Sequence, residues 1–286
     1  MATSAKRPGL PNPKSVVMEI PFAPAGLLSL AEVSPAAPKY RILRTTEVDQ
    51  YETPPSKLEV AQSLAPESMV LAAAKKSKKK KKKGKGGKPK AASGDMFKGS
   101  SRKASKLSIS DAKMEKFSDL ADLIATLLTD KVMLTKGISK NDPASERVAE
   151  EDRNVRVDAY LYAASREKDN DYHFIVGRDP DAGGKEVYMN MELSGLPPAD
   201  AKSRAALEKA RDAFSAFINK HFAGNLPGTS YDYYDPPIHI EVEGSLFWDA
   251  THGGPKDSKP GPDSLRPKIP NVWEVHPISK IKLTAP

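Results

Sequence analysis

Cysteine is absent from the chain, which excludes disulfides, thiolate zinc sites and cysteine nucleophiles. Long apolar runs are missing too: nothing approaches the roughly 18 residues a membrane span requires. The basic start "MATSAKRPGLPNPKS" is not followed by an unbroken apolar region, because "FAPAGLLSLAEVSPAA" is interrupted by Pro24 and Glu32. No secretory leader is expected, and the chain reads as soluble and cytoplasmic. Three catalytic signatures are also lacking. Paired histidines at zincin spacing do not occur, and no serine sits in a nucleophile elbow. "GKGGKPK" has glycines and lysines but none of the strand, helix or hydroxyl that a phosphate-binding loop needs. No cofactor is expected, and no enzymatic chemistry is identifiable.

What is present is unevenly distributed. Apolar residues make up 38% of the chain and there are 25 prolines, too few and too many, respectively, for packed elements throughout. Between Lys75 and Lys113 lie sixteen lysines and arginines against two acids, whereas from Asn154 onward there are sixteen against nineteen. The basic character therefore belongs to a segment rather than to the whole. Residues 1–105 are read as a disordered tail, Pro-rich and then Lys-rich. Two short patches in it, "SVVMEI" and "KYRILRT", could be strands or docking motifs but have no visible partner. The candidate polyanion-binding residues are Lys75, Lys76, Lys78, Lys79, Lys80, Lys81, Lys82, Lys83, Lys85, Lys88 and Lys90. Such a tract attracts DNA, RNA, anionic membranes or acidic proteins without reading sequence; the bland alternative is a solubilising spacer.

Residues 106–153 are read as an amphipathic helix and a connector. Met114, Phe117, Leu120, Ala121, Ile124, Leu127 and Leu128 recur at helical spacing, with Ser110 or Asp111 as cap and an end near Asp130. This stripe is expected to pack on the domain that follows. From Val155 the period changes to two. "VRVDAYLYAA", "DYHFIVG" and "KEVYMNMEL" are three strands joined by short turn-rich segments. "ADAKSRAALEKARDAFSAFINKHF" is a helix stopped at Gly224, and "PIHIEVEGSLFW" and "VWEVHPI" with its extension "SKIKL" complete the set. Three strands, a helix and two strands is the order of a five-stranded OB-fold barrel, so 154–286 is predicted to be an OB-fold-like domain, mainly β. Gly177 and Gly244, inside strands, suit the bends of a small barrel.

"DNDYHFIVGRDP", "GSLFWDATHG" and "WEVHPISKI" together resemble a family of bacterial proteins that carry a DYHL-like strand, an aromatic and aspartate-containing segment ending in His-Gly, and a closing ELHP-like strand. The resemblance runs from Val132 to Leu283, and the long insert after His252 departs from it. It implies that the three segments belong together. No activity is established for that family, so no catalytic residue carries over.

Those segments contain three acid–histidine pairs: Asp171 with His173, Asp249 with His252, and Glu274 with His276. In an OB barrel all three are expected near the mouth, along with Tyr160, Tyr188 and Trp248 as stacking surfaces. The bland reading is that each pair fastens a loop end, with Asp171 and Asp249 capping turns and the strand ladder stopping at Pro277. The alternatives are a cleft for a protein or small ligand, or a metal-dependent hydrolase using imidazole and carboxylate. No metal-ligand set is assigned. The function expected is non-enzymatic binding, associated with nucleic acid through the lysine tract.

Overall fold

A computed structural model describes residues 17–20, 40–45, 95–254 and 259–285. The lysine tract lies outside the described residues. Among these residues eight strands form one sheet: β1 (Val17–Ile20), β2 (Arg41–Thr45), β3 (Met114–Phe117), β4 (Asn154–Arg166), β5 (Tyr172–Gly177), β6 (Tyr188–Leu193), β7 (Asp232–Trp248) and β8 (Trp273–Thr284). Among the described residues helices are few: α1 (Lys103–Leu107), α2 (Leu120–Ala125), α3 (Asp130–Met133) and the longest of these, α4 (Arg204–His221).

Five of the strands close on themselves. The order runs β4–β5–β6–β8–β7, and β7 pairs back to β4. Every contact in this ring is antiparallel except β6 with β8, which is parallel. The ring closes over a core supplied by alternate residues. Val155, Val157, Ala159 and Leu161 of β4, Phe174 and Val176 of β5, Met189 and Met191 of β6, and Val275 and Ile278 of β8 all belong to it. Helix α4 presents Ala210, Phe214, Phe217 and Ile218 to the same core, and the Phe214 ring meets those of Tyr172 and Phe174 at 5.4 and 4.8 Å. The helix ends where the sequence predicts, the chain leaving it through Ala223 and Gly224, both at positive φ.

Three expectations are corrected. The single helix predicted from a cap at Ser110 or Asp111 to an end near Asp130 is instead a strand followed by two short helices, the second starting at Asp130. Met114–Phe117 pairs in parallel with β4 from Asn154 to Val157, along an edge that β5 leaves open because its own pairing begins at Tyr160. An unpaired strand edge is a stronger demand than helical periodicity over so few residues. Asp119 then caps α2, accepting from Ala121 N at 2.7 Å, and Ser110 turns the chain rather than capping a helix. The predicted stripe packs only in part: Leu120 is fully buried and Phe117, Ile124 and Leu127 lie partly buried against the core, whereas Leu128 is 40% exposed and the buried residues beside them, Leu123 and Met133, were not in the stripe. Second, the two N-terminal patches have partners, since β1 pairs with β2 and β2 with Asp232–Asp235 of β7, while Tyr40 packs on Phe222. Third, the ladder does not stop at Pro277. β8 continues to Thr284, and the register shifts around Gly244 accommodate the proline. A Cβ on Gly244 would lie 2.5 Å from the Pro277 carbonyl oxygen, so the bulge requires glycine there.

Candidate functional site: a buried acid–histidine cluster

Alternation decides where the predicted site residues go. Tyr172, Phe174 and Val176 face the core, so His173 faces the outer wall of the ring. Trp273 and Val275 likewise turn inward and send Glu274 and His276 outward. On β6, Met189, Met191 and Leu193 point in, and Asn190 and Glu192 point out. The register sets His173 opposite Glu192, and Asn190 opposite Glu274. Asp171, just ahead of β5, completes the group. Four of the predicted residues are therefore brought together, on the outer wall and not in a barrel mouth.

A polar cluster on an outer wall would ordinarily be solvated. Here it is roofed by the segment around α1. Lys106 is buried above the carboxylates, and its carbonyl accepts from Ser194 Oγ at 3.1 Å. Arg147 clamps the roof to the wall by donating to the carbonyls of Ser105, Ser108 and His276 at 2.7, 2.9 and 2.8 Å, and to that of Leu246. Arg102 forms a two-pronged pair with Glu151 at 2.7 Å on each prong, both side chains being buried. Its guanidinium also lies 4.7 Å over the Phe247 ring, which in turn packs 5.3 Å from the His276 ring. As a result Asp171 and His276 are 0% exposed, and Glu192 and Glu274 1%.

The contacts within the cluster are specific. Glu192 Oε1 accepts from Asn190 Nδ2 at 3.0 Å and lies 3.0 Å from His173 Nε2. Glu192 Oε2 is 2.9 Å from His276 Nδ1 but outside hydrogen-bonding geometry. His276 Nδ1 is 3.4 Å from Glu274 Oε2, and Glu274 Oε1 accepts from Asn190 Nδ2 at 2.8 Å. Asp171 Oδ1 accepts from Gly195 N at 2.5 Å, while Oδ2 faces His276 Nε2 at 3.6 Å.

Burial and crowding set the charge states. Burial, then Asp169 and Glu192, push the Asp171 carboxyl well above its usual range, and burial with Glu192 and Asp249 does the same to Glu274. Burial would raise Glu192 as well, but His173, His276 and Lys106 outweigh it and hold that carboxylate well below normal. Burial lowers His276, against the pull of Glu192. For His173 the same desolvation is outweighed by Glu192 and Glu167, and its pKa rises. Lys106 stays charged: burial opposes it, but Glu192, Asp171 and Asp249 hold its pKa well above normal.

The remaining predicted residues lie elsewhere. Asp249 and His252 form their own close pair at the end of β7, with Thr251 N donating to Asp249 Oδ1 at 2.8 Å in a local turn. Trp248 turns to the core side and donates from Nε1 to Asp130 at 3.0 Å, so it is no stacking surface. Tyr188 is buried edge-on against Tyr162 at 4.9 Å, at the opposite end of β6 from Glu192 and about 13 Å along the strand. Tyr160 is half-buried, its hydroxyl 3.3 Å from Asp179 and its ring 5.2 Å from His239. Tyr160 and Tyr188 line two depressions beside Arg178, of about 130 and 120 Å³, well under the size of ordinary ligand pockets. The residues that sequence reasoning missed are Glu192, Asn190 and Lys106. A signal for the first two was present: in "YMNMEL" they share the face opposite the core methionines.

No protein-family model, curated protein or solved structure matches this chain.

Proposed function

We propose that this protein is a non-catalytic binding protein whose folded part is an OB-type barrel and whose affinity for polyanions resides in the lysine tract. For the barrel, the support is the ring order, with its helix between the third and fourth ring strands. For the division of labour, it is the closure of the acid–histidine cluster. A substrate cannot reach side chains that are 0–1% exposed beneath Arg102, Lys106 and Arg147. Trp248 and Tyr188 are buried, so they offer no platform for base stacking. The charge that phosphates require is instead concentrated between Lys75 and Lys90, eleven lysines in sixteen residues. DNA or RNA is the partner class this favours.

The test is a salt titration. The full chain is compared with a variant in which the eleven lysines become glutamine, using a fluorescent mixed-sequence single-stranded oligonucleotide. Each phosphate contact adds about 0.7 to the slope of log K against log salt, so six contacts give a slope near ~4. The wild type is expected to show that slope and the variant to lose binding. A variant that binds with an unchanged slope would refute the assignment. No binding by the wild type would favour a protein or small-ligand module instead.

A further inference from the structure

Asp171, Glu192 and His276 each bring one donor atom within 4.8 Å of the others, and all three side chains are buried. What distinguishes them from an ordinary carboxylate–imidazole fastening is the atoms left over. Asp171 Oδ2 and His276 Nε2 have no hydrogen-bond partner, and Glu192 Oε2 has only an unaligned contact with His276 Nδ1 at 2.9 Å, although each is out of contact with solvent. Such groups are costly to bury unless something else satisfies them.

Their other atoms are held. Gly195 N fixes Asp171 Oδ1, Asn190 Nδ2 and His173 Nε2 hold Glu192 Oε1, and Glu274 Oε2 takes His276 Nδ1. With two carboxylates around it, Nδ1 must carry the imidazole proton, which leaves the Nε2 lone pair facing Asp171 Oδ2 at 3.6 Å. A lone pair opposite a carboxylate oxygen is repulsive. A proton between them does not resolve it, since 3.6 Å is too long for a hydrogen bond. Two ligands of one tetrahedral ion, each about 2.1 Å from it, lie roughly 3.4 Å apart. A histidine whose second nitrogen is held by a carboxylate is also the arrangement metal ligands adopt.

We propose that Asp171, Glu192 and His276 form a buried divalent-cation site that fastens β5, β6 and β8 beneath the roof around α1. One imidazole and two carboxylates suit zinc, manganese or iron(II). Lys106, His173 and Glu274 surround the site without being ligands. The proposal is independent of the polyanion reading, because it concerns the ring and not the tract.

The experiment measures metal in the untagged full chain, both as purified natively and after equilibration with zinc, manganese or iron(II), followed by gel filtration. Elemental analysis is expected to find ~1 ion per chain. At a hundredfold excess of free ion over its Kd, the melting temperature should stand roughly 5 °C or more above that of chelator-treated protein. Asp171→Asn should lose the ion and Asp249→Asn should keep it. If Asp171→Asn does not fold, the wild-type comparison with and without chelator decides. Folded wild type that holds no ion under any of the three metals, and melts at one temperature with or without chelator, would overturn the site. So would Asp171→Asn with full metal content.

Discussion

Replacing Arg102 with methionine tests whether the roof over the cluster is held by charge. Both partners of the Arg102–Glu151 pair are buried, at 1% and 0% exposure. Removing one partner of such a pair typically costs about 3–5 kcal/mol, because the other charge is left uncompensated. Glu151 is not left bare here: Trp248 N and Val148 N still donate to it at 2.8 and 2.9 Å, which places the loss near the lower limit, at ~3 kcal/mol. The guanidinium also loses its position over Phe247, worth about 0.5–2 kcal/mol. Relief of the left-handed backbone at Arg102 (φ 44°) does not offset this, because methionine is strained there too. Urea unfolding followed by tryptophan fluorescence gives the midpoint. With a slope of about 2 kcal/mol/M, the combined loss of about 3.5–5 kcal/mol should lower the midpoint by roughly 2 M. The paired replacement Arg102→Met with Glu151→Gln should recover at least ~1.5 kcal/mol of the single-site loss. A single variant within ~1 kcal/mol of wild type, or a double variant that is merely additive, would refute the account of the roof.

Two further perturbations probe the ring and its loops. A Cβ at Gly177 would lie 2.6 Å from the rings of both Tyr162 and Tyr188, so Gly177→Ala should cost about 1–3 kcal/mol and lower the melting temperature; no change would mean the two rings are not fixed as described. Burial alone would raise the Asp249 carboxyl, but His252 and Thr251 outweigh it and hold it well below the usual range. A carboxylate depressed in the fold stabilises above its unfolded pKa of about 3.9 and loses that contribution as pH falls below it. The wild type should therefore lose stability steeply below about pH 4, and Asp249→Asn should show a shallower loss in the same window, measured by urea midpoint against pH. Equal slopes for the two proteins would remove Asp249 from the acid response.

How far the cluster could be read from sequence depends on which interactions are local. Alternation in "VRVDAYLYAA" placed Val155, Val157, Ala159 and Leu161 inward, and all four are core residues. Spacing placed Phe214 and Ile218 on one face of α4, and they pack on the ring. The pairing of Glu274 with His276 on one strand face followed from the same period, and the two do touch. The strand at Met114–Phe117 was not legible, because Met114, Phe117, Leu120 and Ile124 fit a helical stripe and nothing local reveals the open edge of β4. The partners of β1 and β2 were hidden for the same reason.

The sequence alone determined the periods: which residues alternate, which recur at helical spacing, and which side chains share a face. Tertiary structure decided what each face meets. Asn190 and Glu192 lie on an outer wall, where their polarity reads as solvent exposure. They are buried because Arg102, Lys106 and Arg147, between 43 and 90 residues away in the chain, fold over them. Face membership is set by backbone geometry over a few residues. Burial, and with it the charge state of every carboxylate in the cluster, is set by segments that meet only when the chain has folded.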